Sequence, residues 1–131
     1  MHAVSTDYIL RMVQQFVAAL VQLITQQQLP QAEELVQQSA LRLLGFDLAL
    51  LERMSVDHQV LLLASPERLE AAAELLAGRA AIILASGDGG YASSLRRNAV
   101  ALLERAKQAG HGEPARLAER QRAILGDGLT G

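Results

Sequence analysis

The sequence contains no cysteine, which excludes disulfide bonds and thiol chemistry. Aromatic residues make up 3% of the chain, and valine, isoleucine and threonine together are fewer than the leucines alone. Strands favour β-branched and aromatic residues, whereas leucine and alanine lose little side-chain entropy in a helix. Because leucine and alanine dominate a chain that is half hydrophobic, the composition predicts an all-α protein with enough apolar residues for one core.

Long apolar runs are also missing. A membrane-spanning helix needs roughly 18 apolar residues, and the longest apolar stretch, Phe16 to Ile24, is interrupted by Gln22. The first residues carry Asp7, lack a basic segment and show no small-residue cleavage site, so we expect no secretory signal. These absences predict a cytoplasmic protein that does not associate with a membrane.

Periodicity and helix start and stop signals divide the chain into seven predicted helices. We expect one helical domain over residues 1–110 and a C-terminal helical extension with a frayed tail over 111–131. The domain comprises a hairpin over 5–45, two short bridging helices over 47–64 and a second hairpin over 65–110. Within the last hairpin, Ser65-Pro66-Glu67 is the clearest helix start, and its helix, to about Ser86, is rich in small residues that let a neighbour approach closely.

The first predicted helix runs from Ser5 or Thr6 to about Gln27, and a short break at Leu29-Pro30 leads to the second, which runs to about Leu44. The other predicted helices lie over 48–54 and 56–64, from about Tyr91 to Ala109, and from Pro114 to about Leu125. Gly110-His111-Gly112 is predicted to be a hinge before the last of them.

The first predicted helix has an apolar face wider than one packing partner covers, so it is either central in the fold or packed against another chain. We expect a homodimer, because exposed apolar area of that size marks an interface and a two-fold pair is the commonest solution. One set of side chains is expected to face the protomer's own core: Ile9, Phe16, Leu20 and Leu23. The flank expected to mediate self-association is formed by Leu10, Val13, Val17 and Val21.

Two helix pairs carry a recurring pattern of small and large residues. In the second pair the pattern is formed by Ala80, Ile83, Gly87, Tyr91, Ser94, Leu95, Ala101 and Leu102; in the first, by Phe16, Leu23, Ala32, Val36 and Ser39. Both pairs resemble tetratricopeptide repeats, which implies antiparallel helical hairpins and makes Tyr91 a core residue. Asn98 departs from the pattern where a large aromatic is expected, and Leu20 replaces the usual small residue. Residues 7–16 also resemble the start of a bacterial family of small helical proteins of unknown function, which implies no activity or site.

Basic residues concentrate late in the chain, although the net charge is −2. The basic patch consists of Arg96, Arg97, Arg105, Lys107, Arg116, Arg120 and Arg122. Clustered cations can bind phosphates, but single-stranded nucleic acid also requires exposed aromatics, and Tyr91 is the one aromatic nearby. A solvated arginine-rich face is therefore the preferred interpretation, and nucleic-acid binding is the alternative.

No other group of residues predicts a catalytic, cofactor or metal site. His2, His58 and His111 lack metal-ligand spacing and are interpreted as surface histidines. The glycine-rich segment 87–90 lacks phosphate-loop spacing and is interpreted as a turn that ends a helix. Two carboxylate pairs, Glu33/Glu34 and Glu70/Glu74, are interpreted as solvated helix faces, and Ser93 and Ser94 have no nearby base.

The sequence therefore predicts a non-enzymatic, cytoplasmic helical module that binds protein, itself included. A basic-faced protein associated with nucleic acid is the alternative. A small-molecule pocket between helices stays open, because sequence does not reveal such a pocket.

Overall fold

The structure, a computed structural model, describes residues 6–127, and over that range the chain forms helices and no strand. The helices are α1 (Thr6–Thr25), α2 (Leu29–Leu43), α3 (Leu48–Glu52), α4 (Val56–Leu63), α5 (Pro66–Ala85), α6 (Gly89–Gln108) and α7 (Pro114–Asp127). The all-α prediction is confirmed, and the predicted bounds lie within a few residues of the observed ones.

Side-chain caps explain where the middle helices begin. Asp47, Ser55 and Ser65 each accept a hydrogen bond from a backbone N–H in the first turn of α3, α4 and α5, at 2.9–3.3 Å. Asp88 caps α6 in the same way, so that helix begins at Gly89 rather than at Tyr91. Each cap satisfies one of the N–H groups that a helix start leaves unbonded. Of the two caps predicted for α1, Ser5 lies outside the described residues.

The central helix is α5. It packs against α1, α2, α3, α4 and α6, and every residue from Leu69 to Gly78 is buried. A Cβ atom added at Gly78 would lie 2.6 Å from Cδ2 of Leu20 and 2.9 Å from Cζ of Phe16, so α1 crosses α5 directly over this glycine. The expectation that the small residues of this helix admit a close neighbour is confirmed at this crossing.

The first helix, in contrast, lies at the edge of the fold. It packs against α2 and α5, with Val13, Phe16 and Leu20 buried, while α3 packs against α2 and α5, and α4 against α5 and α6. The alternative in which the first helix is central is therefore wrong. The segment Tyr8–Thr25 has a mean hydropathy of 1.4, yet 17% of its residues are buried.

By length and composition alone, Tyr8–Thr25 could cross a membrane, so the expectation that no segment qualifies is wrong by that measure. Core helices of soluble proteins and signal sequences meet the same criterion, and the finding therefore assigns no location.

The last helix shares the core of the rest. α7 packs against α6, and its Leu117 and Ile124 are fully buried within the same hydrophobic cluster. The segment predicted to be a hinge is a hydrogen-bonded helix end: Gly110 has a φ of +79°, and the N–H of His111 donates to the carbonyl of Ala106 at 3.1 Å. This turn directs the side chain of His111 back towards α5.

Candidate functional site

The predicted self-association residues of α1 divide between the core and the surface. Val13 is 4% exposed and belongs to the protomer's own core, beside Phe16. Val17 and Val21 are half-buried at the margin of that core, and Leu10 is half-buried outside the cluster. Leu10, Val17 and Val21 therefore remain as an apolar flank of α1 that is partly open to solvent.

Leu10 and Val17 of this flank line a groove, which we call the α1–α7 groove. Two adjoining cavities of about 390 and 380 Å³ make it up, and both are lined by Leu10, Val13, Glu70 and Arg116. The wall on the α1 side is apolar and consists of Ile9, Leu10, Val13, Val17 and Ala18, with Gln14. The floor and the opposite wall are polar and consist of Glu67, Glu70, Glu74, His111, Glu113, Arg116 and Arg120, with Gly112. The groove therefore has one apolar side and one charged side.

Two parallel ion pairs join the floor of the groove to its α7 wall. Glu70 receives hydrogen bonds from Nη1 and Nη2 of Arg116 at 2.7 and 3.0 Å. One turn further along both helices, Glu74 receives them from Nε and Nη2 of Arg120, both at 2.8 Å. Both carboxylates are almost fully buried, so these charge-assisted pairs hold α7 against α5.

The ionisation of Glu70 follows from its partners. Burial pushes the pKa of Glu70 up, but the hydrogen bonds and charges of Arg116 and His111 outweigh burial and hold that pKa below its ordinary value. The hydrogen bond to Glu70 in turn raises the pKa of Arg116. A carboxylate that stays ionised and fully bonded is poorly suited to proton transfer near neutral pH. The interpretation of Glu70 and Glu74 as solvated side chains is wrong.

His111 completes this cluster. Its Nε2 lies 2.7 Å from Oε1 of Glu70, and its side chain is 6% exposed. The surface-histidine interpretation is therefore wrong for His111, whereas His58 is exposed as expected and His2 lies outside the described residues. Among the described residues, no three His, Cys, Asp or Glu side chains are grouped so as to hold a metal ion.

Most of the predicted basic patch is neutralised by neighbours. Arg105 pairs with Asp57, and Lys107 lies 3.3 Å from Glu104. Arg116 and Arg120 hold the carboxylates of α5, and Arg122 lies 3.7 Å from Glu119. The two remaining members, Arg96 and Arg97, lie on α6, half-buried and exposed respectively. Five of the seven cations thus pair with a carboxylate.

Tyr91 is not the core residue that the repeat resemblance implies. Its side chain is exposed, and its hydroxyl donates a hydrogen bond to Glu52. That bond, with burial second, raises the pKa of Tyr91. The hydroxyl group of Tyr91 therefore links α6 to α3.

The sequence contains one signal for the ion pairs, which is visible only when two helices are compared. Glu70 and Glu74 are four residues apart on one helix, and Arg116 and Arg120 are four residues apart on another. Equal spacing of opposite charges on two helices permits two parallel pairs. In the other carboxylate pair, Glu34 is exposed and Glu33 lies 3.1 Å from Arg79, which is a partial departure from the solvated face expected.

Comparison with known proteins adds no relative. No family model matches the chain, and neither the curated proteins nor the solved structures include a significant match to it. The likenesses to tetratricopeptide repeats and to the small bacterial helical family therefore depend on the residues that suggested them.

Proposed function

We propose that this protein is a non-enzymatic, cytoplasmic helical module that binds protein and associates with itself as a homodimer through α1. One observation carries the proposal. The segment Tyr8–Thr25 is apolar enough to span a bilayer, yet 17% of it is buried, because α5 rather than α1 occupies the centre of the fold. Apolar surface left open on a folded domain is characteristic of interaction sites.

Within this proposal, α1 with α2 and α5 with α6 act as tetratricopeptide-like hairpins. The close crossing of α1 and α5 at Gly78 supports this assignment, as do the short connections between the paired helices. Two hairpins are fewer than the three or so repeats that a free-standing solenoid needs. The proposed dimer would cover the apolar face that additional repeats cover in a longer array.

The alternative, association with nucleic acid, is less well supported, because five of the seven patch cations lie within ion-pair distance of a carboxylate. We expect binding to duplex DNA no tighter than about 10⁻⁴–10⁻⁶ M at physiological salt. Submicromolar binding in a fluorescence-anisotropy titration would favour this alternative over the protein-binding module.

The proposal is tested by gel filtration with light scattering at tens of micromolar protein. We expect a dimer, and we expect Val17→Glu to give a soluble monomer that is still helical by circular dichroism. The substitution places a charge in a dry contact at a cost of roughly 3 kcal/mol, which weakens the dimer about a hundredfold.

Gln15→Glu is the matched control, because Gln15 is exposed on the same helix and the substitution adds the same charge away from the flank. It should remain dimeric. A monomeric wild type would contradict the proposal.

A further inference from the structure

We propose that α7 is a movable wall of the α1–α7 groove: it leaves α5 and α6 as one unit, pivoting at Gly112, while α1 to α6 stay folded. The movement widens the groove and uncovers the carboxylates of Glu70 and Glu74 on its floor. It is independent of self-association through α1, which involves a different helix.

The packing of α7 is light compared with that of the central helix. Its main neighbour is α6, whereas α5 packs against five helices. From Pro114 to Gly126 the buried residues are Leu117 and Ile124, but twelve of the twenty residues of α5 are buried. Segments with few buried apolar contacts open at a lower free energy than the core does. The departure of α7 also leaves the packing of α5 on α1, α2 and α6 in place.

On the side of α1, α7 faces open space. The two cavities of about 390 and 380 Å³ lie between these helices, and both are lined by Leu10 and Val13 of α1 and by Arg116 of α7. Because the groove separates the two helices, α1 does not hold α7 in position. What holds α7 is therefore its contact with α6 and its polar contacts with α5.

The link between α6 and α7 contains a pivot. His111 is held at two points: its N–H donates to the carbonyl of Ala106 at 3.1 Å, and its Nε2 lies 2.7 Å from Oε1 of Glu70. Gly112 follows, exposed and with a φ of +63°, a conformation that glycine adopts without strain. Pro114 then begins α7. Rotation at Gly112 therefore moves α7 while His111 and α6 stay in place.

Two ion pairs hold the wall closed. Arg116 lies 2.7 Å from Glu70, and Arg120 lies 2.8 Å from Glu74. These are contacts between side chains of two helices, so both can break while the helices that carry the carboxylates stay intact. In the closed position each carboxylate is neutralised by an arginine, whereas in the open position water surrounds both. The floor of the groove thus changes from a paired surface to an acidic one.

Acid weakens this fastening. The titratable and charged groups around Glu70 in the groove are Glu67, Glu74, His111, Glu113, Arg116 and Arg120, and the lining residues of α1 add none. Although burial raises it, the bonds of Arg116 and His111 hold the pKa of Glu70 below its ordinary value of 4.5. Folding of α7 onto Glu70 is therefore favoured above pH 4.5, and the advantage is lost as the pH falls through the lowered value.

Hydrogen exchange of the full chain, followed by mass spectrometry in a urea series at neutral pH, tests the proposal. A detached helix of this length is marginal in water, so the amides of α7 exchange when it leaves. We expect them to exchange at least about tenfold faster than those of residues 69–78, with little dependence on urea, because undocking exposes little surface. The amides of residues 69–78 should show the steep urea dependence of global unfolding.

Two results would overturn the proposal. The same rate and the same urea dependence in both segments would mean that α7 opens only when the whole molecule unfolds. A gradient in which the first turn of α7 is protected like α5 and only its last turns exchange fast would indicate fraying of the helix end. Movement as one unit requires similar protection along the whole of α7.

A double variant, Glu70→Gln with Glu74→Gln, tests the fastening. Without the charges that the arginines bind, α7 should exchange at least about tenfold faster than in the wild type at neutral pH. Glu119→Gln is the control, because Glu119 and Arg122 form an exposed pair within α7, and it should leave the rate unchanged. An unchanged rate in a folded double variant would overturn the role of the ion pairs, and the wild-type urea series decides the movement itself even if the double variant does not fold.

The Val17→Glu variant separates this movement from self-association. Its α7 should exchange faster than residues 69–78 by the same margin as in the wild type, because Val17 lies on α1. A monomeric wild type with a fast-exchanging α7 would contradict the proposed dimer and support the movable wall. A dimeric wild type in which α7 and residues 69–78 exchange together would support the dimer and overturn the movable wall.

Discussion

At the scale of single residues, one buried amide pair explains a departure from the repeat pattern. Gln59 is fully buried, and its Nε2 donates to the carbonyl of Leu51 at 2.8 Å and to Oδ1 of Asn98 at 2.9 Å. Nδ2 of Asn98 returns a hydrogen bond to Oε1 of Gln59 at 2.7 Å. Asn98 stands where the repeat pattern has a large aromatic, because α4 places a buried polar group there that an aromatic would leave unbonded.

We expect Asn98→Leu to lower the free energy of unfolding by about 1–3 kcal/mol, because Oε1 of Gln59 would lose its partner, while Nε2 would keep only its backbone acceptors. Urea denaturation measures the change. The double variant Gln59→Leu, Asn98→Leu should cost less than the sum of the two single variants, since it leaves neither amide of the pair unbonded. Strictly additive costs would contradict the reciprocal pairing.

The Glu70 cluster predicts how stability depends on pH. The pKa of Glu70 lies below its ordinary value of 4.5, so folding favours the ionised carboxylate. The ionised Glu70 carboxylate therefore adds to the free energy of unfolding above pH 4.5. This added stability is lost as the pH falls through the lowered pKa of the folded protein. We expect Glu70→Gln to cost about 2 kcal/mol at neutral pH, because hydrogen bonds from charged groups are lost. The difference from wild type should shrink in denaturation series taken to pH values well below 4.5.

Glu119→Gln is the matched control, because Glu119 and Arg122 form an exposed pair at 3.7 Å. It should change stability by well under about 1 kcal/mol at any pH. A Glu70→Gln protein whose difference from wild type is constant with pH would contradict the assigned ionisation.

At the scale of helices, the features that sequence predicts well are the local ones. The starts of α3, α4 and α5 are predicted because Asp47, Ser55 and Ser65 cap them within one turn. The groove could not be predicted in the same way, because Glu70 and Arg116 are 46 residues apart and meet only because α5 and α7 both pack against α6. Long-range packing also explains why the sequence left the position of α1 open. The periodicity of its residues shows how wide its apolar face is, but not which helices cover that face.

The crossing of α1 over α5 predicts a strict size limit at Gly78. We expect Gly78→Leu to lower the free energy of unfolding by about 2 kcal/mol, because overlap with Phe16 and Leu20 outweighs the gain in helix propensity. Ala85→Leu, at the exposed end of the same helix, should be close to neutral in the same chemical denaturation. Equal stability of the two variants would show that α1 does not approach α5 this closely.

At the scale of the whole molecule, the arrangement has one inner helix and several outer ones. α5 is covered by five neighbours, whereas α1 rests on two and keeps an apolar edge partly open. The net charge of −2 is small for a chain of this length, so little long-range repulsion opposes the approach of a second copy.

The inner position of α5 also determines the order in which backbone amides exchange with deuterium. An amide buried on every side exchanges only when its neighbours leave, so the segment Leu69–Gly78 should be protected with the free energy of global unfolding. In the Val17→Glu monomer, α1 can open without disturbing α6 or α7, and its amides should exchange first among the three twenty-residue helices. Exchange followed by mass spectrometry would contradict this order if α1 and α5 were equally protected. If α1 exchanges first in the monomer, dimerisation should slow exchange mainly in α1. The deuterium uptake of α1 would therefore report the fraction of the protein that is dimeric.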